Sequence, residues 1–270
     1  MNITFIGGGN MAAAMIGGLL QQGHAPETLS VVEISADRRA QLQHQFGIAV
    51  GASVAETNPD CKIFVLAVKP QQLRAVVVDN VTMLRNKLVI SIAAGVRAAD
   101  LSSWSGNHSY IIRAMPNTPC LIGKGITGLY ALADVNSGQK TQASSILGAV
   151  GAVLWLDDEA LLDAVTAMSG SGPAYVFYLL EAMQQAGMEL GLADEIANRL
   201  AVETFLGATT LAAQSPESLI TLRTRVTSPG GTTEQAILSL EQAGVKQALI
   251  DAIKAAYKRS QEMGDILGAS

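Results

Sequence analysis

Short, continuous apolar runs recur through the first half of the chain, at Ile3–Ile6, Leu29–Ile34, Ile63–Ala67, Leu88–Ile92, Tyr110–Ala114 and Ile126–Tyr130. They are rich in β-branched residues and read as strands. Between the early runs, Met11–Gln22 and Ala36–Phe46 carry apolar residues at helical spacing. Apolar strands alternating with amphipathic helices predict an α/β fold, a doubly wound parallel sheet covered on both faces. After Leu156 the pattern changes. Ala174–Leu190, Ala193–Ala213, Thr233–Ala243 and Lys246–Met263 are helical in period, and Gly187, Gly191, Ser215-Pro216 and Ser228-Pro229-Gly230-Gly231 punctuate them. The break lies between Leu156 and Leu161, which predicts a doubly wound domain over 1–158 and an all-α domain over 159–270.

The 270 residues suit two such domains, and an apolar content of 49% with few aromatics builds the core from Ala, Leu, Val and Ile. A net charge of −5 without a Lys/Arg cluster argues against a nucleic-acid surface. No apolar run approaches the ~18–20 residues of a membrane span. The first strand leaves no room for a leader, so the expected location is the cytoplasm. Cys61 and Cys120 match no metal spacing and are expected as reduced thiols.

The first strand runs directly into Gly7-Gly8-Gly9-Asn10-Met11-Ala12 and then a helix. This is G-x-G-x-x-A, a form of the Rossmann dinucleotide fingerprint. Gly7 serves the tight turn, Gly9 the approach of a pyrophosphate and Ala12 the close helix–strand contact. The phosphates of a nicotinamide cofactor are expected on the unpaired amides of the helix start, with Ile6, Gly7, Gly8, Gly9, Asn10 and Met11 lining it. The second strand ends at Glu33, about where an acid holds the ribose of NAD. Ser35, Arg38 and Arg39 follow, and their guanidinium forks suit the 2′-phosphate of NADP. The sequence leaves NADPH and NADH both open.

Two later strands end at Ala67-Val68-Lys69-Pro70 and Ile92-Ala93-Ala94-Gly95, and a third at Arg113-Ala-Met-Pro-Asn117-Thr118-Pro119. Ligands of open α/β sheets bind outside the carboxyl ends of strands, so these loops are expected in the same crevice. Lys69 suits a ribose or phosphate, and Asn117 and Thr118 suit a nicotinamide amide. Between Lys140 and Lys246 there is neither lysine nor histidine. His24, His44 and His108 fall outside every motif, and Tyr175 and Tyr178 sit on an apolar helix. A reductase of ketones needs a proton donor, usually His, Lys or Tyr. The deficit points to a substrate that binds already protonated, such as a C=N bond as its iminium. Ser169-Gly-Ser-Gly-Pro173 and Val226-Thr-Ser228-Pro-Gly230-Gly231-Thr232-Thr233 both precede helices. The second, with its hydroxyls and free amides, is a receptor for a carboxylate.

These segments resemble the pyrroline-5-carboxylate reductase family along the whole chain. The resemblance runs from Phe5–Ala12 through Leu66–Pro70, Ser91–Gly95, Arg113–Pro119 and Ser169–Tyr175 to the signature Val226–Thr233. It implies hydride transfer from NAD(P)H to carbon 5 of a cyclic imine, giving L-proline. It further implies that Ser228, Gly230, Gly231, Thr232 and Thr233 hold the substrate carboxylate, with Thr233 near the ring nitrogen. Ala67 to Pro70, Ile92 to Ala94 and Asn117 then line the cofactor cleft, and the helical domain forms an intertwined homodimer or a larger homo-oligomer. Two positions depart from the family: Val54 stands where an adenine-side asparagine is common, and Pro216–Leu222 is slightly long. A β-hydroxyacid dehydrogenase shares the architecture but requires an acid–base group that the lysine gap denies. A non-catalytic NAD(P)-binding regulator has no need for the Thr227–Thr233 loop.

Overall fold

The computed structural model describes residues 1–58 and 60–269. The first half contains β1 (Ile3–Ile6), α1 (Asn10–Gln21), β2 (Leu29–Val32), α2 (Ala36–Phe46), β3 (Ala49–Gly51), β4 (Ile63–Leu66), α3 (Pro70–Asp79), α4 (Val81–Leu84), β5 (Leu88–Ser91), α5 (Ala98–Trp104) and β6 (Ile111–Met115). There follow β7 (Gly125–Ala131), α6 (Ser137–Gly148), β8 (Gly151–Trp155), α7 (Leu161–Val165), α8 (Gly172–Glu189), α9 (Asp194–Gln214), α10 (Leu219–Arg225), α11 (Thr232–Gln242) and α12 (Val245–Ala269). No helix among the described residues is long and apolar enough to cross a membrane.

The strands form one sheet in the order β3-β2-β1-β4-β5-β6-β7-β8. Its first six strands follow the 3-2-1-4-5-6 order of the Rossmann fold, with the reversal between β1 and β4. β1, β2, β4 and β5 are buried along their whole length, which is why they read as unbroken apolar runs. One core, built on Met15, Ile16 and Leu19 of α1 and Ile146 and Leu147 of α6, covers one face. A second core, with Leu73 and Val77 of α3 and Leu101 of α5, covers the other.

One pairing departs from the all-parallel expectation: β7 runs antiparallel to β6. The connection from Pro116 to Lys124 is too short for a crossover of about a dozen residues, so the chain turns straight back. Two strands were not foreseen. β3 has three residues and ends on a glycine, and β8 is an edge strand with alternating exposure.

The chain divides into two compact units, one of Met1–Ser171 with the chain from Ala256 on, and one of Gly172–Ala255. The first therefore extends past the expected 158/159 boundary. The reason is packing: a Cβ on Gly128 of β7 would lie 2.9 Å from Val165, which shows how closely α7 sits on the sheet. Ser260 of α12 hydrogen-bonds Asp163 of α7 at 2.6 Å. In the second unit α8 and α9 pack against each other, joined by a turn in which Gly191 takes φ +95°. Among its described residues only Ala197 and Ala201 are fully buried apolar side chains, while Phe177 is 66% exposed and Leu206 59%. Helices owe most of their stability to a packed apolar face, so this unit lacks a sufficient core of its own.

Candidate functional site

The glycine turn sits at the carboxyl end of β1, beside that of β4. Gly7 has φ +100°, and a Cβ there would lie 2.7 Å from the Ala67 carbonyl oxygen, so the backbone conformation and the close approach both require glycine. A Cβ on Gly8 would meet Leu42 Cδ1 at 2.6 Å. Gly9 differs: its φ is −66°, and nothing lies within 4 Å of where a Cβ would be. Gly9 is the N-cap of α1 and no side chain caps that helix, so the amides of its first turn have no partner from a cap. An open cradle over an uncapped helix start fits the pyrophosphate of a dinucleotide. Ala12 is fully buried, as close helix–strand packing requires.

Glu33 occupies an unforeseen position. Its carboxylate accepts the Gly8 N–H at 2.9 Å through Oε2 and the Ser35 N–H at 2.9 Å through Oε1. The arginines brace the same loops. Arg38 Nε donates to the Gly8 carbonyl at 2.7 Å, and Arg39 Nη1 donates to the carbonyls of Glu33 at 2.7 Å and Ile34 at 2.9 Å. Ser35 caps α2, its hydroxyl accepting the Arg38 N–H at 3.3 Å. The arginines are thus half-buried and anchored by backbone carbonyls, rather than lying on a solvated helix start.

Ala67, Val68 and Lys69 follow β4, with Lys69 exposed at the N-cap of α3 and Pro70 in its first turn, where a missing N–H costs nothing. Ile92, Ala93 and Ala94 follow β5, and the Ala93 N–H donates to Ser91 Oγ at 3.4 Å. The next turn is tied down by a partly buried ion pair: Arg113 Nη1 meets Glu159 Oε1 at 2.6 Å, and that oxygen also accepts the Ala98 N–H at 2.7 Å. Nothing in the sequence marked Glu159, which is remote from Arg113 along the chain. Asn117 is buried and largely engaged by the fold, its Nδ2 donating to the Ser169 carbonyl at 3.1 Å and its Oδ1 accepting the Ile126 N–H at 3.0 Å. What it retains for a ligand is one further Nδ2–H. Val54 is buried in the core.

In the second unit the hydroxyl-rich loop between α10 and α11 is a tight turn with Gly230 at φ +72°. Two of its amides are taken internally: Gly230 N–H donates to Glu234 Oε2 at 2.7 Å, and Gly231 N–H to the Ser228 carbonyl at 3.0 Å. The glycines therefore shape the loop, and the amides free to receive an anion are those of Thr232 and Thr233 in the first turn of α11. No side chain caps that helix. Thr233 is half-buried and Ser228 exposed. The stretch Pro216–Leu222 leads into α10, capped by Ser218 and braced by a Glu217–Arg225 ion pair.

His108 and the two cysteines belong to the packed fold. His108 is buried with Nε2 2.8 Å from the Lys87 carbonyl, and burial lowers its pKa below the ordinary histidine value. Cys61 and Cys120 are buried free thiols whose pKa values burial raises, the opposite of a reactive cysteine. No group of three potential metal ligands occurs among the described residues.

Comparison with known proteins bears on the chain as a whole. A family profile described as pyrroline-5-carboxylate reductase dimerisation matches residues 159–263, and one described as NADP oxidoreductase, coenzyme F420-dependent, matches residues 2–95. The pyrroline-5-carboxylate reductase of Pseudomonas aeruginosa is 47% identical over 98% of each chain, and that of Haemophilus influenzae 39% identical over 97% of each. A solved pyrroline-5-carboxylate reductase from Coxiella burnetii superposes with a TM-score of 0.92 at 41% identity, covering 97% of this chain and 98% of that one. The Plasmodium falciparum pyrroline carboxylate reductase, solved with NADP bound, gives 0.87 at 30% identity over 98% of both. With a Rossmann glycine turn at its first helix and this likeness along its full length, the chain belongs to the pyrroline-5-carboxylate reductase family of oxidoreductases.

Proposed function

We propose that this protein reduces L-1-pyrroline-5-carboxylate to L-proline with NADPH as the preferred donor and NADH as a slower one, the last step of proline biosynthesis. In this reading residues 1–158 serve the cofactor and residues 159–270 the substrate and assembly, and the enzyme works in the cytoplasm as a homodimer or larger homo-oligomer. The single observation that carries the reading is the start of α11, where Thr232 and Thr233 offer unpartnered amides and hydroxyls with no side-chain cap. Such a helix start stabilises a carboxylate by about 0.3–1 kcal/mol from its dipole alone, before any hydrogen bond.

When bound in the cradle of the glycine turn, a reduced nicotinamide dinucleotide would supply the hydride for carbon 5 of the ring. The chain's own part is placement. Ser228, Gly230, Gly231, Thr232 and Thr233 form the loop that receives the substrate carboxylate, and the Thr233 hydroxyl lies toward the ring nitrogen. If the ring enters as its protonated iminium, hydride addition converts C=N⁺H to CH–NH and no donor side chain is needed. The lack of lysine and histidine from 141 to 245 fits that economy. The amides of Asn10 and Met11 receive the pyrophosphate, Ile6 to Gly9 shape its cradle, and Lys69, Ala67, Val68, Pro70, Ile92 to Ala94 and Asn117 border the remainder. Ser35, Arg38 and Arg39 take the 2′-phosphate. The exposed apolar side chains of α8 and α9 support assembly of two copies through this unit.

The test is direct. Purified protein should oxidise NADPH when given pyrroline-5-carboxylate, yield proline by chromatography, and ignore 3-hydroxyacids. Absence of cofactor oxidation with the imine overturns the reading.

A further inference from the structure

We propose that Glu33 is a specificity-determining residue that secures the preference for the 2′-phosphorylated cofactor, because its carboxylate is withheld from the adenosine ribose. The inference rests on the reading that the glycine turn holds the dinucleotide. An acid at the end of a second Rossmann strand ordinarily favours NAD, since its oxygens accept the ribose hydroxyls. Here each oxygen already accepts a backbone N–H, from Gly8 at 2.9 Å and from Ser35 at 2.9 Å. Redirecting the carboxylate to a ribose would leave the amides of Gly8 and Ser35 without their partner.

The same clamp sets the arginines. Glu33 joins the turn after β1 to the loop after β2, and its own carbonyl and that of Ile34 receive Arg39 Nη1. Arg38 Nε completes the frame on the Gly8 carbonyl, with Nη1 on Gln41 Oε1 at 3.2 Å. A guanidinium has five N–H groups, so both arginines keep their Nη2 pair for a ligand. A carboxylate satisfied from within thus sits beside two braced guanidinium groups. That arrangement removes the usual anchor of NADH and offers an anchor for a phosphate.

The experiment is calorimetric binding of 2′,5′-ADP and 5′-AMP, which carry no nicotinamide, to wild type, Glu33→Gln, Glu33→Asp and Arg38→Ala/Arg39→Ala. Glutamine puts an NH2 opposite one of the two amides, so the clamp opens. Glu33→Gln should weaken 2′,5′-ADP binding at least about fivefold more than it weakens 5′-AMP, since opening the clamp releases the arginine frame in addition to the glycine turn. Glu33→Asp, one methylene shorter, should show the same bias and decides the matter if melting shows that the glutamine variant does not fold. If either folded variant weakens 5′-AMP more than 2′,5′-ADP, or leaves both unchanged, the role of Glu33 is overturned. A wild-type preference for 2′,5′-ADP that the double arginine variant abolishes and the Glu33 variants keep retires Glu33 alone. No wild-type preference retires the NADPH reading as well.

Discussion

Replacing Gly7 and Gly9 one at a time by alanine should separate folding from cofactor binding within a single turn. At Gly7 an L-residue must adopt φ +100° and place its Cβ 2.7 Å from the Ala67 carbonyl oxygen. The backbone conformation costs about 1–2 kcal/mol and the overlap about 1–3 kcal/mol more. Restricting the unfolded chain returns only about 0.4–1 kcal/mol. A net loss near 3 kcal/mol lowers the melting temperature by roughly 6–12 °C for a unit of this size. At Gly9 the φ of −66° is ordinary and a Cβ has no neighbour within 4 Å. Alanine is a poorer N-cap than glycine, which the unfolded-state gain largely offsets, so stability should stay within about 1 kcal/mol. That methyl would fill the cradle over the α1 amides and should weaken NADPH about tenfold or more, or 1.4 kcal/mol. Thermal melts of the apo-protein at one fixed protein concentration, with NADPH titrated by fluorescence, give both quantities. Equal destabilisation of the two variants, or wild-type NADPH affinity in Gly9→Ala, refutes the division of labour within the turn.

Thr233→Ala removes a hydroxyl from the substrate loop and should lower kcat/KM for the imine about 10- to 100-fold with the NADPH dissociation constant unchanged; collapse of NADPH binding instead would put the loop in the wrong site. His108 supplies a pH dependence. Burial lowers its folded pKa below the ordinary 6.5, so the unfolded chain binds more protons in the window beneath that value. Stability is therefore fully present above about 6.5 and falls as pH drops toward the folded pKa. His108→Gln should flatten that part of a melting-temperature profile, and parallel slopes for variant and wild type speak against it. Sedimentation velocity at micromolar concentration should find a dimer or larger, and Phe177→Glu, charging a side chain 66% exposed on α8, should loosen it. A wild-type monomer at that concentration would remove the basis for assembly through α8 and α9.

Much of the doubly wound half was legible because buried parallel strands carry unbroken apolar runs, and Ile3–Ile6 matches β1 residue for residue. Ala36–Phe46 was equally plain, bounded by Ser35 at the N-cap and Gly47 in the left-handed region. β3 and β8 escaped for opposite reasons. Three residues ending on Gly51 leave no period to read, whereas Ala152–Trp155 is a clear apolar run preceded by Gly148 and Gly151 that ends close to where the helices begin. The extent of the first unit was illegible because it depends on side chains that meet across long stretches of chain, Ser260 with Asp163 and Arg97 with Asp265. At the site, the glycines gave positions but not partners. Glu33 could be placed at a strand end from sequence, but not the direction in which its carboxylate turns. Glu234 carried a faint signal, since an acid at the third helical position commonly reaches back to the amides before it.

Those two glutamates solve the same electrostatic problem at the two helix starts assigned to anions. In α1 the residue before the N-cap is Gly8, and its N–H is held by Glu33; in α11 the corresponding residue is Gly230, held by Glu234. Each N-cap is glycine and neither has a side-chain cap, so the first-turn amides remain open. A carboxylate near a helix N-terminus is stabilising in itself, and here each also fixes the turn that aims those amides. The same negative charge opposes an incoming phosphate or carboxylate, more strongly where the intervening medium is less polar. Binding at either start must therefore overcome a repulsion that the unliganded fold uses for its own order. The two starts differ in how readily that repulsion relaxes. Glu33 is tethered at both oxygens to two separate loops, so its charge stays in place as a ligand arrives. Glu234 has one described bond, within its own turn, and can swing away with little loss to the fold. The α1 start is thus held rigidly and the α11 start adjustably, which under the proposed function suits a dinucleotide bound by many contacts and a small imino acid that must enter and leave in every turnover.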